Sequence, residues 1–467
     1  MPYHHYRNLP SGEAEARRAS VHVVEFGTEK YMSSERQTPG QSSYGPGVGY
    51  RKQEGRRSRT ARVVRRESRG NSYGNHLRSN RSSVSRRAFR AAGVREIEGS
   101  NFSVSVYKTM DKIQPRVDPN RGFGGIINMG LTCYGNAVIQ NMRHLSKLIW
   151  IMEEGKYNTL FNKSPTTRRD KLQNVTAAFA EIVQFLGKCN KGQSVRPGTF
   201  WKRLQPAVHD TLYEQLATKM CHDSHEFFLF LFEAIHEATS QEVDMHILRP
   251  PPTTEEEVLV HGALKAWQDT FTKEYSPFVH MFYGMFHQKT ECQACKNVSH
   301  RWEAFNALKV PVPQSGEFNL MDALKDDMVP EDIEEYVCEK CGPPRRSAKK
   351  SISIWRMPLA LVVTLKRFTN DGKKINTPLA PLPLMDFAPY FSQESPERLG
   401  ETRYTLRGMV DHHGQPSFGH YTAQCQHLGN DKWYNYDDES AQEMAGPRFG
   451  ASNYMIFFER YAGTTEA

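Results

Sequence analysis

Three groups of residues in this 467-residue chain have the types and spacing to do chemistry. The first surrounds Cys133 in GGIINMGLTCYGNAVIQNM, residues 124–142. A glycine-rich turn runs into Thr132-Cys133, and Val138, Ile139 and Met142 follow at helical spacing. That order puts Cys133 at a helix N-terminus, where the macrodipole and unpaired N–H groups favour the thiolate, the nucleophilic form. The same N–H groups can receive an oxyanion, and Asn128, five residues upstream, has a side-chain amide to add to them. A cysteine at a helix start is more often a small buried residue, so the motif asks for a base elsewhere in the chain.

The second group supplies one. RGMVDHHGQPSFGHYTAQCQHLGNDKWYNYDDES, residues 407–440, reads as a strand, a Gly/Ser loop, and then a β-hairpin opened by His420. With a four-residue turn at His427–Asn430, His420 falls opposite Asp437, Thr422 opposite Asn435 and Gln424 opposite Trp433. Opposed residues share a face with Cβ atoms about 4.5–5.5 Å apart. An Asp there accepts from the imidazole, fixes its tautomer and stabilises the imidazolium. A one-residue slip would present Asp438 instead. Without Cys133, a His–Asp pair in a hairpin is an ordinary structural feature.

The third group is Cys292-x-x-Cys295 and Cys338-x-x-Cys341, with 42 residues between the pairs. Two such knuckles give four soft thiolates, the ligand set of a closed tetrahedral Zn²⁺ site with no open position, hence a structural one. The other four of the eight cysteines follow no pattern. In a chain whose start, MPYHHYRNLP, lacks an apolar signal segment, this reads as one metal ion and reduced thiols, not a disulfide framework. The longest apolar runs, Phe227–Phe232 and Leu359–Val363, are core-sized, far from the roughly 18–20 residues that span a bilayer. The expectation is an intracellular protein of the cytoplasm, the nucleus or both, with no membrane role.

The elements that must position these groups divide the chain. Of the formal charge of +9, residues 1–120 contribute +12, and the remainder is mildly acidic. Residues 51–90 alone hold 14 Lys and Arg against 2 acidic residues. Residues 1–121 therefore read as a disordered Arg/Ser-rich tail that cannot bury enough apolar area to offset its conformational entropy. Its bland role is a solvated linker; a nuclear address, or contact with an acidic protein or nucleic acid through 51–90, is the alternative. Order is expected from Gly122, with helices at about 134–153, 170–188 and 222–240. Residues 247–262 read as a Pro- and Glu-rich connection, and short β-branched runs dominate from about 280 onward. Helices followed by strands predict an α+β fold whose halves face one another.

Taken together, these residues make the chain from about Gly122 to Tyr461 resemble the ubiquitin-specific proteases, papain-like deubiquitinating cysteine proteases. GIINMGLTCYGNAVIQ resembles the family's Cys box and GHYTAQC with WYNYDDES its His box. HDSHEFFLFLFEAIHE resembles the intervening box, usually written with two glutamines before the Asp. LVVTLKRF, LPLMDFAPY and NYMIFFERY resemble its later strands, and the stretch from Ala266 to Cys295 the approach to its zinc-bearing fingers. The resemblance implies one catalytic domain, residues 122–463, with a helical thumb at about 122–240 and a β-rich palm and fingers at about 260–463.

It also implies roles. Cys133 matches the nucleophile, His420 the general base, Asp437 the residue orienting the His, Asp438 the supporting acid and Asn128 the oxyanion donor. Asp223 and Glu226 match acids that contact ubiquitin's basic C-terminal tail. The implied reaction is hydrolysis of the peptide or isopeptide bond at ubiquitin's C-terminal glycine through a thioester, with ubiquitinated proteins as substrates. A non-catalytic ubiquitin-binding scaffold, or a protease for a ubiquitin-like modifier, are the rival expectations. The chain departs from the family pattern at Leu131, Gly135, Ala137, His222 and Thr364. Of these, Gly135 is expected to matter most, because glycine in a first helical turn costs up to roughly 1 kcal/mol and would loosen the nucleophile's helix.

Overall fold

A computed structural model describes residues 96–98, 110 and 114–461, apart from 154–155, 165, 248–249, 383 and 417. The basic stretch 51–90 and most of the expected tail lie outside the described residues. Strand β1 (Glu96–Glu98) and β2 (Gly125–Ile126) precede α1 (Cys133–Met142), α2 (Ser146–Glu153), α3 (Tyr157–Leu160) and α4 (Thr167–Lys188). Next come β3 (Ser194–Val195), α5 (Gly198–Val208), α6 (Ser224–Thr239), β4 (Asp244–His246), α7 (Glu255–Phe271) and α8 (Pro277–Phe282). The second half opens with β5 (Gly284–Cys292), β6 (Val298–Phe305), β7 (Leu308–Pro311), α9 (Leu320–Asp327), β8 (Glu331–Tyr336) and β9 (Arg346–Arg356). It closes with β10 (Ala360–Lys366), β11 (Met385–Asp386), β12 (Arg403–Gln415), β13 (Phe418–Gln426), β14 (Trp433–Asp437), β15 (Ser440–Met444) and β16 (Asn453–Arg460).

The strands form an eight-stranded sheet in the order β15-β14-β13-β12-β16-β10-β7, with β11 on β12, and a four-stranded sheet β6-β5-β9-β8. Within these two sheets pairing is antiparallel except between β10 and β7, and β2 pairs with β3 in parallel outside them. One face of the large sheet meets the helices: Val362, Val410, Ala423 and Phe457 share a core with Val138, Phe179 and Phe228. The other face carries Leu361, Val363, Leu365 and Phe458 in a second core. Because both faces are covered, β10 is buried from Ala360 through Leu365, apolar but for Thr364, and does not alternate. Burying each of the four phenylalanines of α6 (Phe227, Phe228, Phe230 and Phe232) contributes about 2–3 kcal/mol to the core on the helical face of the sheet. The α+β division and the facing halves are as the sequence indicated.

Three expectations need correction. The stretch 134–153 is two helices, because the Glu459 carboxylate of β16 accepts from Ser146 N and Oγ, both at 2.7 Å, and starts α2 afresh. The connection 247–262 ends early, since α7 begins at Glu255. Thr254 Oγ1 accepts from Glu257 N at 3.2 Å and Glu257 Oε2 accepts from Thr254 N at 3.2 Å, a capping box with three glutamates in the first turn. Nor does structure begin at Gly122: β1 pairs with β4, and Asn430 Nδ2 donates to the Pro119 carbonyl at 3.1 Å.

Candidate active site

Cys133 is the first residue of α1 and only 3% exposed. The turn that delivers it is tied by Asn128, whose Oδ1 accepts from Gly130 N at 2.9 Å and Thr132 N at 3.1 Å. Leu131, at the crest, has φ 58, a left-handed conformation that is strained for a Leu. Every residue of α1 is buried, and its polar side chains stitch it to the chain around it. Gln140 Nε2 donates to Gly124 O at 2.9 Å, Asn141 Nδ2 to Met409 O at 3.1 Å, and Asn136 Nδ2 to Asp438 Oδ1 at 2.7 Å. The helix that aims the nucleophile is thus fixed by hydrogen bonds as well as by packing.

The structure brings His420 to Cys133. The ring and the sulfur are near enough to shift each other's charge, and the ring Nε2 lies 2.6 Å from Asp437 Oδ1. Nε2 is occupied by the carboxylate, so Nδ1 is the nitrogen left for Cys133. The hairpin register differs from the expected one by two residues. Gln424 pairs with Asn435 and Gln426 with Trp433, and His427 N donates to Lys432 O at 2.8 Å, which puts the turn at residues 428–431. His427 stays in the ladder because its Nε2 meets Arg121 O at 2.7 Å and its ring stacks on Phe123. A shift of two keeps every side chain on its face. Asp437 is therefore diagonal to His420 and still reaches it.

These contacts decide the charges. A hydrogen bond from Cys221 and, after burial has pushed the other way, donors from His420 and the Tyr421 N–H pull the Cys133 thiol down to about 4. The bond to Cys133 foremost, opposed by burial and helped by Asp437, raises His420 to about 9. Near neutrality the pair is thiolate and imidazolium. Asp438, raised by burial, accepts from Asn136 Nδ2 and from Asn128 Nδ2 at 2.8 Å. With Oδ1 of Asn128 bound to the turn and one Nδ2 hydrogen to Asp438, its second Nδ2 hydrogen is the free one.

Asp223 and Glu226 stand at the start of α6. Asp223 is the N-cap: Oδ1 accepts from His225 N at 2.7 Å and Glu226 N at 3.1 Å, and Oδ2 accepts from Tyr454 OH at 2.6 Å. It ties helix to sheet. The Glu226 carboxylate, half-buried, accepts from Gln215 Nε2.

At the far end of the small sheet, the sulfurs of Cys292, Cys295, Cys338 and Cys341 all lie within 4.8 Å of one another, Cys295 and Cys338 at 3.6 Å. A tetrahedral zinc site with Zn–S of about 2.3 Å needs sulfurs about 3.8 Å apart. Both knuckles have one geometry: Lys296 N donates to Cys292 O and Gly342 N to Cys338 O, each at 2.9 Å, with φ 58 and 64 at Lys296 and Gly342. The N–H groups of Cys295 and Ala294, aimed at Cys292, hold that thiol down at about 7. The four residues fit a zinc ion.

The family described as ubiquitin carboxyl-terminal hydrolase matches residues 124–458. The chain belongs to that family. Human ubiquitin carboxyl-terminal hydrolase 2 is 27% identical over 359 residues, 73% of this chain and 55% of that protein. Ubiquitin carboxyl-terminal hydrolase 4 of Vanderwaltozyma polyspora is 26% identical over 378 residues, 75% and 42% of the two chains. The chain thus spans about half the length of the curated relatives it matches. Among solved structures, the SAGA Ubp8/Sgf11/Sus1/Sgf73 DUB module bound to ubiquitin aldehyde is similar in fold, with a TM-score of 0.55 and 20% identity over 77% of this chain and 75% of that one. The parts of this ubiquitin carboxyl-terminal hydrolase fold are α1–α6, the large sheet and the small one.

Two of the departures from the family pattern, Gly135 and Thr364, have physical reasons here. A Cβ on Gly135 would lie 2.8 Å from the Trp201 ring, and Trp201 packs against Tyr134 and Phe227. The glycine makes room for an indole; it does not loosen the helix. Thr364 Oγ1 meets His225 Nδ1 at 2.9 Å, so α6 brings the imidazole that the strand lacks. Nothing in the structure explains Ala137. Two site residues escaped the sequence reading. Asn136, three residues after Cys133, sits on the nucleophile's own helix and spacing alone would have found it. Cys221, whose thiol lowers that of Cys133, lies far along the chain where no local pattern announces it.

Proposed function

We propose that this chain is a cysteine-dependent deubiquitinase that hydrolyses the peptide or isopeptide bond at the C-terminal glycine of ubiquitin. The observation that carries the reading is the His420 ring, held at 2.6 Å by Asp437 Oδ1 and near enough to Cys133 for each to set the other's charge. In this reading the Cys133 thiolate attacks the glycine carbonyl. The N–H groups opening α1, with the free Nδ2 hydrogen of Asn128, receive the oxyanion. Asp438 supports them by holding the Asn128 amide in place. The His420 imidazolium gives its proton to the departing lysine amine, then takes one from water as that water cleaves the thioester. Asp437 keeps the ring oriented throughout.

Ubiquitin as substrate, and ubiquitinated proteins as partners, are carried over from the family and from the DUB module solved with ubiquitin aldehyde. Asp223 and Glu226 are proposed to meet the basic tail of ubiquitin; Glu226 is the freer of the two, since both Asp223 oxygens are engaged internally. The four fingers cysteines would hold one structural Zn²⁺, which supplies a crosslink and no step of the reaction. Residues 51–90 are proposed to contact an acidic protein or nucleic acid, whose affinity should then fall steeply with salt. No helix among the described residues is long and apolar enough to cross a membrane. We place the work of the enzyme in the cytoplasm, the nucleus or both.

The test is a ubiquitin probe with a thiol-reactive C-terminal warhead, offered to wild type and to Cys133→Ala. The expected result is a covalent adduct of one ubiquitin on wild type and none on the variant. A folded, zinc-loaded wild type that forms no adduct would support the scaffold reading, and a preference for a ubiquitin-like probe would support the other modifier.

A further inference from the structure

The turn that delivers the nucleophile carries an apolar residue in a conformation that apolar residues avoid. Among the described residues, those other than glycine with positive φ are Asp210, Asp431, Asp438, Lys296 and Leu131. Aspartate tolerates the left-handed region because its short polar side chain can bond the backbone nearby; leucine has no such recourse. Packing does not compensate Leu131 either, since the residue is 52% exposed. Met129, two residues earlier on the same turn, is a second exposed apolar side chain. Its Sδ accepts from Arg196 Nη1 at 3.7 Å, and its methyl lies 3.9 Å from where a Cβ on Gly198 would stand, at the start of α5. Between the two, Gly130 has open space in front of it: a Cβ there would meet nothing within 4 Å. From below the turn is firmly held, with Met129 N donating to Thr132 Oγ1 at 2.9 Å and Asn128 N to Glu439 Oε1 at 3.1 Å. The result is a fixed turn with an apolar crest in solvent, rimmed by the exposed Arg196 and Glu439. A bulky side chain kept exposed on strained backbone points to work done at that spot.

We propose that Leu131 and Met129 are specificity contacts for the leaving side of the substrate: they take an apolar side chain of the acceptor protein beside its modified lysine. The inference rests on the hydrolase reading above and concerns the half of the substrate that ubiquitin does not supply. Two flanks border Cys133. One is the start of α6, where Asp223 and Glu226, held by Tyr454 and Gln215, offer carboxylates to a basic tail. The other is this turn, bound to the chain that follows Asp437: Asn128 Nδ2 donates to Asp438 Oδ2 at 2.8 Å and Ile126 N to Asp438 O at 2.7 Å. With the ubiquitin tail on the acidic flank, the amine that leaves with the His420 proton falls to the apolar one.

Reach and size agree with this role. Leu131 stands two residues before the nucleophile, and an extended acceptor chain advances about 3.3–3.6 Å per residue, so the neighbours of the modified lysine pass over the turn. Two side chains are too small a surface to hold a protein by themselves. They discriminate between acceptors that ubiquitin has already brought to the site, and one apolar side chain covered by them is worth about tenfold in kcat/KM. A charged or small polar neighbour of the lysine would leave Leu131 in water and gain nothing.

The test uses ubiquitin joined by an isopeptide bond to the lysine of two short capped peptides, alike except that Leu flanks the lysine in one and Ser in the other. Values of kcat/KM are measured for the zinc-loaded full chain as wild type, Leu131→Asn and Leu131→Met. Both substrates share ubiquitin and the scissile bond, so their ratio cancels any effect of a substitution on the chemical step. Wild type should favour the Leu-flanked peptide by about tenfold. Leu131→Asn, which suits left-handed backbone and removes the apolar contact, should bring the ratio below about threefold, and Leu131→Met should keep it near the wild-type value. A wild-type ratio near one overturns the proposal, as does a ratio that Leu131→Asn leaves unchanged. Labelling of Cys133 by the ubiquitin probe involves no acceptor chain and checks the hydrolase reading separately. An enzyme that labels but shows no preference overturns this inference alone; one that neither labels nor turns over either peptide overturns both.

Discussion

At Cys133 opposed tendencies meet: the donors around it, led by Cys221, pull the thiol down, burial pushes it up, and the donors win, leaving it at about 4. His420 goes the other way, to about 9, because its charged form faces a thiolate and a carboxylate. The signs fix a pH window. The lowered Cys133 stays charged from alkaline pH down to about 4, and the raised His420 stays charged from acid up to about 9. Both are charged only between these limits. The rate of kcat/KM for a ubiquitin substrate should therefore be flat across neutrality and fall on both sides as one proton is gained or lost. Asp437→Asn should bring the alkaline limb toward neutrality and leave the acid limb in place, since the carboxylate is one of the groups raising His420. A profile whose acid limb moves instead would contradict this assignment of the limbs. These residues were legible because each carries a local signal, a helix start for Cys133 and a hairpin for His420. Cys221 was not, because its chemistry comes from a neighbour far along the chain.

On the scale of elements, α1 depends on Trp201 of α5 as much as on its own residues. Helix propensity alone predicts that Gly135→Ala stabilises by about 1 kcal/mol. The added methyl would lie 2.8 Å from the Trp201 ring, which Tyr134 and Phe227 hold from other sides. Overpacking of that kind costs about 1–3 kcal/mol. The expected net effect is a loss of up to about 2 kcal/mol, read as a lower urea midpoint, with slower labelling of Cys133 as α1 shifts. A raised midpoint would mean that Trp201 yields freely. A close approach also joins the Cys loop to the hairpin: Ile126 N donates to Asp438 O at 2.7 Å, and a Cβ on Gly125 would lie 2.2 Å from Glu439 backbone. The sequence reading reached the hairpin but not its register, since period-two patterning marks faces and leaves shifts of two undecided. It passed over α7, although Thr254 and Glu257 spell its capping box, because the prolines before them dominated the stretch.

For the molecule as a whole, composition and periodicity reached the α+β division, while the assignment of thumb, palm and fingers came with the family resemblance. The fingers show why a metal belongs there. Their base is well packed, with Trp267, Met285 and Trp355 in one apolar cluster. Their outer end is not: β8 has no buried residue, and its links to β9 include surface ion pairs such as Lys350 with Glu331 at 2.7 Å, each worth at most about 1 kcal/mol. Cys292 ends β5 and Cys338 and Cys341 fall between β8 and β9, so one ion would tie all the outer strands together. Zinc bound by four cysteines contributes about 10–16 kcal/mol in small domains, far beyond what those ion pairs supply. Removing it, by chelation or by Cys338→Ser, should therefore free the amides of β8 and the start of β9 to exchange. The Cys133 site is built on α1 and the large sheet and uses none of those strands, so its alkylation rate should change less than about twofold. Hydrolysis of a ubiquitin substrate should instead weaken through KM, by about tenfold, as the fingers lose their shape. Unchanged KM together with unchanged exchange in a zinc-free protein would mean that the strands hold themselves, and that the four sulfurs serve some purpose other than a structural crosslink.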